Sequence, residues 1–184
     1  LPMMKESGAH FKFIASKGGV TSTSLAKKFG FTHSTTDYQE ILNDADVDLV
    51  MITTRHNLHA SMAIEVLKRD KHVFVEKPFM LDLGSSKKLA SIVYQKKLVN
   101  QVGYHNKFIG TFQEAKRLQT LSALGDVYHF EGKILGPVML KKKEATWRSM
   151  KDEGGGCLMD YAAHMIDLIN YQIGNISSIN GANL

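Results

Sequence analysis

Through the first hundred residues, short apolar runs alternate with segments whose apolar positions recur every three or four residues, the pattern of parallel strands joined by helices. Phe11 to Ala15 reads as a strand. After the Gly18-Gly19 turn, Thr21 to Phe29 reads as a helix with small hydroxyl residues at its start and Gly30 just past its end. Asp37, followed by Glu40, predicts a capping box for a short helix carrying Tyr38, Ile41 and Leu42. Asp48 to Thr53 is nearly continuous in apolar residues, as expected of a strand buried on both faces. The next helix places Leu58, Met62, Ala63, Val66 and Leu67 on one face. Val73 to Val75 follows as a strand, then a helix over 82–96 and a short strand over 98–102.

Beyond Gly103 the pattern changes. Phe112, Ala115, Leu118 and Leu121 predict a helix ending near Gly125. Tyr128, Phe130, Gly132 and Ile134 then alternate with Val127, His129, Glu131 and Lys133, which predicts a strand of a mixed or antiparallel sheet. The expected organisation is therefore a doubly wound α/β domain over 1–102 and part of an α+β domain over 103–184.

Composition narrows the partners. No stretch reaches the roughly 20 apolar residues of a membrane span, and no signal peptide opens the chain, so a cytoplasmic protein is expected. The single Cys157 allows no internal disulfide, and it reads as a small packed residue because no activating base stands beside it. The net charge of +5 raises the question of nucleic acid, but the basic residues are dispersed and the run Lys141-Lys142-Lys143 meets Glu144 at once. An anionic small ligand fits better than nucleic acid.

In an open parallel sheet, ligands bind beyond the carboxyl ends of the strands. Here those positions are polar: Ser16-Lys17 after the first strand, Thr53-Thr54-Arg55-His56-Asn57 after the second, Glu76-Lys77-Pro78 after the third. Pro78 forces Lys77 into extended backbone and aims its ammonium out of the sheet's end. Farther on, Gly154-Gly155-Gly156 lets the backbone approach a ligand. Asp160 and His164, four apart on a helix, would share a face, so that the carboxylate could orient the imidazole. His56 and His59 have metal-ligand spacing but no second cluster or Cys partner, and no metal site is expected.

These residues carry a resemblance. The strand ending in Glu76-Lys77-Pro78, the preceding Thr54 and His59, the segment Gln101-Val102-Gly103-Tyr104, Trp147, and the glycines leading to Asp160, His164 and Asp167 resemble the glucose-fructose oxidoreductase, inositol dehydrogenase and rhizopine-catabolism (Gfo/Idh/MocA) family of NAD(P)-dependent enzymes. The resemblance implies a Rossmann-type fold and hydride transfer at a hydroxyl-bearing carbon of a sugar, cyclitol or sugar derivative. It implies Lys77, Asp160 and His164 as catalytic residues, with Tyr104 and Trp147 also binding substrate. Ser16, Lys17, Thr53, Thr54, His56, Asn57, His59, Glu76, Lys77 and Pro78 would bind cofactor. A homo-oligomer formed through the second domain is implied too.

Two other readings share the fold: a cofactor-binding regulator without turnover, and a glycosidase using the nicotinamide transiently. The chain departs from the family's Thr-Pro-Asn-x-x-His at Arg55 and His56, and carries Lys107 where many members have Arg. Ser16-Lys17 offers a hydroxyl and a cation where an NAD-selective site would place a carboxylate, so NADP is expected over NAD. A Rossmann site also needs a first strand and a Gly-x-Gly-x-x-Gly turn. The sequence holds neither, so both domains are expected to be incomplete, the first at Leu1 and the second at Leu184.

Overall fold

In the computed structural model, which describes residues 2–79, 81–136, 150 and 154–181, the apolar runs become five short strands separated by helices. β1 (Phe13–Ala15) and β2 (His33–Thr35) pair in parallel, with Ile14 opposite Ser34 and α1 (Val20–Phe29) as the crossover. After α2 (Tyr38–Asn43), β3 (Leu49–Ile52), β4 (His72–Val75) and β5 (Asn100–Val102) form a second sheet in that order. Its neighbouring strands are joined by α3 (His56–Lys68) and α4 (Leu83–Lys96). The chain continues through α5 (Gly110–Thr120) and a π turn at Leu158–Ala162 into α6 (Ala163–Gln172). The class is α/β, as expected, with the described strands hydrogen-bonded in groups of two and three.

Local chemistry sets the helix ends. α1 stops where Gly30 adopts φ 78°, its N–H closing on the Ala26 carbonyl, and Lys27 and Lys28 suit the negative end of the helix. At α2 the Asp37 side chain accepts from the Gln39 N–H at 2.9 Å, as an N-cap should. The reciprocal half of the predicted box is different. Glu40 accepts from the Thr35 hydroxyl at 2.9 Å, and that same hydroxyl takes the Asp37 N–H at 3.0 Å, because β2 ends two residues before the cap. Asp82 caps α4 from outside, accepting the Ser85 N–H at 2.7 Å.

Two compact units result: Leu1–Ile52 with Ser61–Phe74 and Lys87–Gln101, and Thr53–Ala60 with Val75–Ser86 and Val102–Leu184. In the first, Ala26, Leu42, Ile52, Ala63, Val66, Leu67, Val73 and Leu89 are buried. Lys71 is buried with them, its ammonium donating to the Asp44 and Val47 carbonyls at 2.6 and 2.8 Å, so the charge is not left without acceptors. In the second unit α5 and α6 are tied through Gln172, whose amide donates to the Phe112 carbonyl at 2.6 Å and whose own carbonyl accepts from Lys116 at 3.2 Å.

Four expectations change. β3 is not buried on both faces: Leu49 is 48% and Met51 38% exposed against 2% for Ile52, so only one side of the strand is covered. Leu58 is exposed, and Ile64 joins Ala63, Val66 and Leu67 in the buried face of α3. Residues 127–134 are not a strand, and none of the described strands pairs with them. They are mostly exposed, and Gly132 comes close to α6, where a Cβ on it would meet Met165 Sδ at 2.7 Å. Cys157 is exposed rather than packed.

Candidate active site

The second unit gathers most of the polar residues singled out in the sequence. Lys77 follows the end of β4, joined to Pro78 by a cis peptide bond. Its ammonium donates to Asp160 Oδ1 at 2.7 Å and to the Asp160 carbonyl oxygen at 2.8 Å. Both side chains are largely buried, at 17% and 15% exposure. Burying an ion pair yields little net stability once desolvation is charged against it, so what this pair chiefly supplies is a fixed direction for the ammonium. The π turn carrying Asp160 is the kind of helix disturbance that arises where a side chain enters the ladder, and π turns recur at functional sites.

Asp160 therefore turns to Lys77 and not to the imidazole four residues on. His164, at the start of α6, is buried, and its Nδ1 has no hydrogen-bond partner among the described residues. Two rings from the segment after β5 enclose it edge-on: Tyr104 at 5.8 Å and His105 at 5.0 Å between centroids. Burial holds the His164 imidazole below the usual histidine range, helped by the Lys77 ammonium and by His105, while Asp160 and Glu76 pull the other way. His164 is thus held toward its neutral form. Burial likewise pushes the Tyr104 phenol up, so it stays a hydrogen-bonding hydroxyl.

Glu76 folds back so that Oε2 accepts the Lys77 N–H at 3.1 Å. Gly103 makes room for it, since a Cβ there would sit 3.0 Å from the carboxyl group. His56 is buried, its Nδ1 donating to the Gly154 carbonyl at 2.9 Å, and burial holds its imidazole below the usual range. His59 is fully buried, with Nδ1 2.9 Å from the Pro78 carbonyl oxygen and Nε2 3.1 Å from that of Thr54. The ring thus sits between the two strand-end turns, its N–H donating to one of the two carbonyls. Thr53, Thr54 and Asn57 are exposed beside them.

Ser16 and Lys17 belong to the other unit, directly after β1. Ser16 Oγ accepts the Ser22 N–H at 3.1 Å in the first turn of α1, Lys17 is exposed, and no acidic residue stands in that turn. Trp147 lies outside the described residues. Among the described residues no cluster of His, Cys, Asp and Glu is placed to hold a metal, and no helix is long and apolar enough to cross a membrane.

Sequence reasoning missed His105 and the fastening of His56 to Gly154. The signal for His105 was its position, directly after Gly103-Tyr104 at a strand end. Nothing local pointed to a contact between residues as far apart in the chain as 56 and 154.

Residues 1–104 match a family model described as an oxidoreductase family with an NAD-binding Rossmann fold, and residues 112–183 match the GFO/IDH/MocA C-terminal domain. The chain belongs to the Gfo/Idh/MocA oxidoreductase family. Its relatives include levoglucosan dehydrogenase of Pseudarthrobacter phenanthrenivorans, 32% identical over 92% of this chain and 44% of that protein. Another is scyllo-inositol 2-dehydrogenase (NAD(+)) of Bacillus subtilis, 28% identical over 85% of this chain and 44% of that protein. A solved levoglucosan dehydrogenase, in complex with NADH and levoglucosan, superposes with a TM-score of 0.85 at 31% identity, covering 90% of this chain and 45% of that one. The chain thus spans less than half the length of these Gfo/Idh/MocA relatives.

Proposed function

We propose that this Gfo/Idh/MocA member is an NAD(P)-dependent oxidoreductase that transfers hydride between nicotinamide and a hydroxyl-bearing carbon of a sugar, cyclitol or sugar derivative. The observation that carries the reading is the pairing of a fixed ammonium, Lys77 on Asp160, with a buried neutral imidazole, His164, in one unit. Oxidising an alcohol needs a base for the hydroxyl proton and a cation or donor for the charge that develops on oxygen. With Nδ1 enclosed, Nε2 of His164 is the nitrogen left to take the proton. Lys77 supports the oxygen, and Asp160 holds Lys77 in place. Tyr104 and Trp147 complete the substrate contacts in this reading.

The bound cofactor would supply the hydride acceptor. The residues present suit a dinucleotide: the first turn of α1 has no carboxylate, and Lys17 stands exposed before it. That donor set favours a 2′-phosphate, hence NADP over NAD. Ser16, Lys17, Thr53, Thr54, His56, Asn57, Glu76 and Pro78 contribute to the cofactor side, whereas His59 has both ring nitrogens turned to backbone carbonyls and serves to hold the turns. In this reading residues 1–102 serve the cofactor and 103–184 the substrate and self-association, in a cytoplasmic protein acting on a small polyol and not on nucleic acid. The names of the relatives, one acting on levoglucosan and one on scyllo-inositol, support the substrate class.

Turnover of a polyol panel is the test. Lys77→Ala and His164→Ala are each expected to lower kcat by about 10²–10⁴-fold, the range of a lost charge stabiliser or general base. Near-parental turnover in either variant would overturn the assignment. For the cofactor, kcat/KM should be higher with NADP than with NAD, and Lys17→Glu should reverse the order.

A further inference from the structure

His164 is buried, yet each oxidation would leave a proton on it that must reach water before the next turnover. Its Nδ1 has no partner among the described residues. The groups around it are the Lys77 ammonium and Glu76 carboxylate after β4, the Asp160 carboxylate in the π turn, and the Tyr104 and His105 rings after β5. Lys77 is already protonated and bound to Asp160, and the Tyr104 phenol is held up by burial, so neither is suited to take the proton on. His105 differs from both. It is exposed, and its ring centroid lies 5.0 Å from that of His164 with the planes at 71°, so the two rings meet edge to face.

We propose that His105 is the proton exit of the site, passing to solvent the proton that His164 takes from the substrate hydroxyl. This rests on the oxidoreductase reading above. The balance is simple. The C–H bond leaves with its electron pair to the nicotinamide, and the O–H proton forms an N–H bond on His164. That bond breaks as one forms on His105, and water then takes the proton, restoring both rings. In the reductive direction the same path runs inward. His105 acts through His164 and touches neither substrate nor cofactor in this scheme.

The experiment compares the native protein with His105→Phe, which keeps a ring against His164, and His105→Ala. In weak buffer both variants should lose about tenfold in kcat, with KM unchanged. Rising concentrations of imidazole buffer should restore the rate, which a purely structural role would not allow. Single-turnover hydride transfer should be unaffected. Separately, the ring titration of His164 followed by NMR should move to higher pH in His105→Phe, because His105 opposes the protonated form of His164. Parental kcat in weak buffer, a loss that imidazole does not relieve, or an unmoved His164 titration would each overturn the proposal. If the native protein oxidises no polyol while the His164 titration still shifts, the failure belongs to the oxidoreductase reading and not to the coupling of the two rings.

Discussion

Asp167 shows at the scale of one residue what the replacement of Arg by Lys costs. Lys107 donates to Asp167 Oδ1 at 3.0 Å, while Oδ2 is buried without a hydrogen-bond partner among the described residues. An ammonium meets one oxygen, whereas a guanidinium fork can meet both. Lys107→Arg should therefore stabilise the protein by about 0.5–1.5 kcal/mol, read as a higher urea midpoint at constant m-value. An unchanged or lower midpoint would mean the fork cannot reach.

The two buried histidines give a pH dependence of definite sign. His56 and His164 are both held below the ordinary histidine value of 6.5, chiefly by burial. The unfolded chain then binds more protons between the folded values and 6.5, so stability is complete above 6.5 and falls as pH drops through that window. Urea midpoints between about pH 7 and pH 5 should decrease, and less steeply in His56→Asn. A flat profile would contradict the burial argument.

At the scale of elements, the glycine-rich stretch and the π turn build the site together. Gly154 has φ +78°, and a Cβ on it would meet His56 Cβ and Leu81 Cδ2 at 2.8 Å. Its carbonyl is also the acceptor that holds His56. Gly154→Ala should cost about 2–4 kcal/mol, adding left-handed strain to overpacking. Gly156→Ala, at φ +104° with open space around it, should show the strain alone. Equal losses in the two variants would show that the contact with His56 is unimportant.

What the sequence disclosed follows the range of the interaction involved. Helices α1, α3, α4 and α5 were legible from periodicity, and Lys77 from the proline after it, because both are local effects. The Lys77 to Asp160 bond was hidden: an ideal helix sends Asp160 toward His164, and only the π turn redirects it to a lysine 83 residues away. The 127–134 alternation was read as a strand although a strand exists only with a partner edge, which periodicity does not reveal.

At the scale of the whole molecule, the residues proposed for the alcohol chemistry lie in one compact unit, while Ser16 and Lys17 belong to the other. Lys77 follows β4, Asp160 lies in the π turn, His164 opens α6, and Tyr104 and His105 follow β5. A site built from chain segments this distant is carried by the fold rather than by any one motif, and family membership rests on matches to both parts of the chain. The measurement that bears most directly on the central claim is nicotinamide absorbance during incubation of the native protein with a panel of sugars and cyclitols. The proposed chemistry requires reduced cofactor to accumulate one for one with oxidised product, and to fall by two orders of magnitude or more (about 10²–10⁴-fold) in His164→Ala. No accumulation with any member of the panel, or an unchanged rate in His164→Ala, would contradict it.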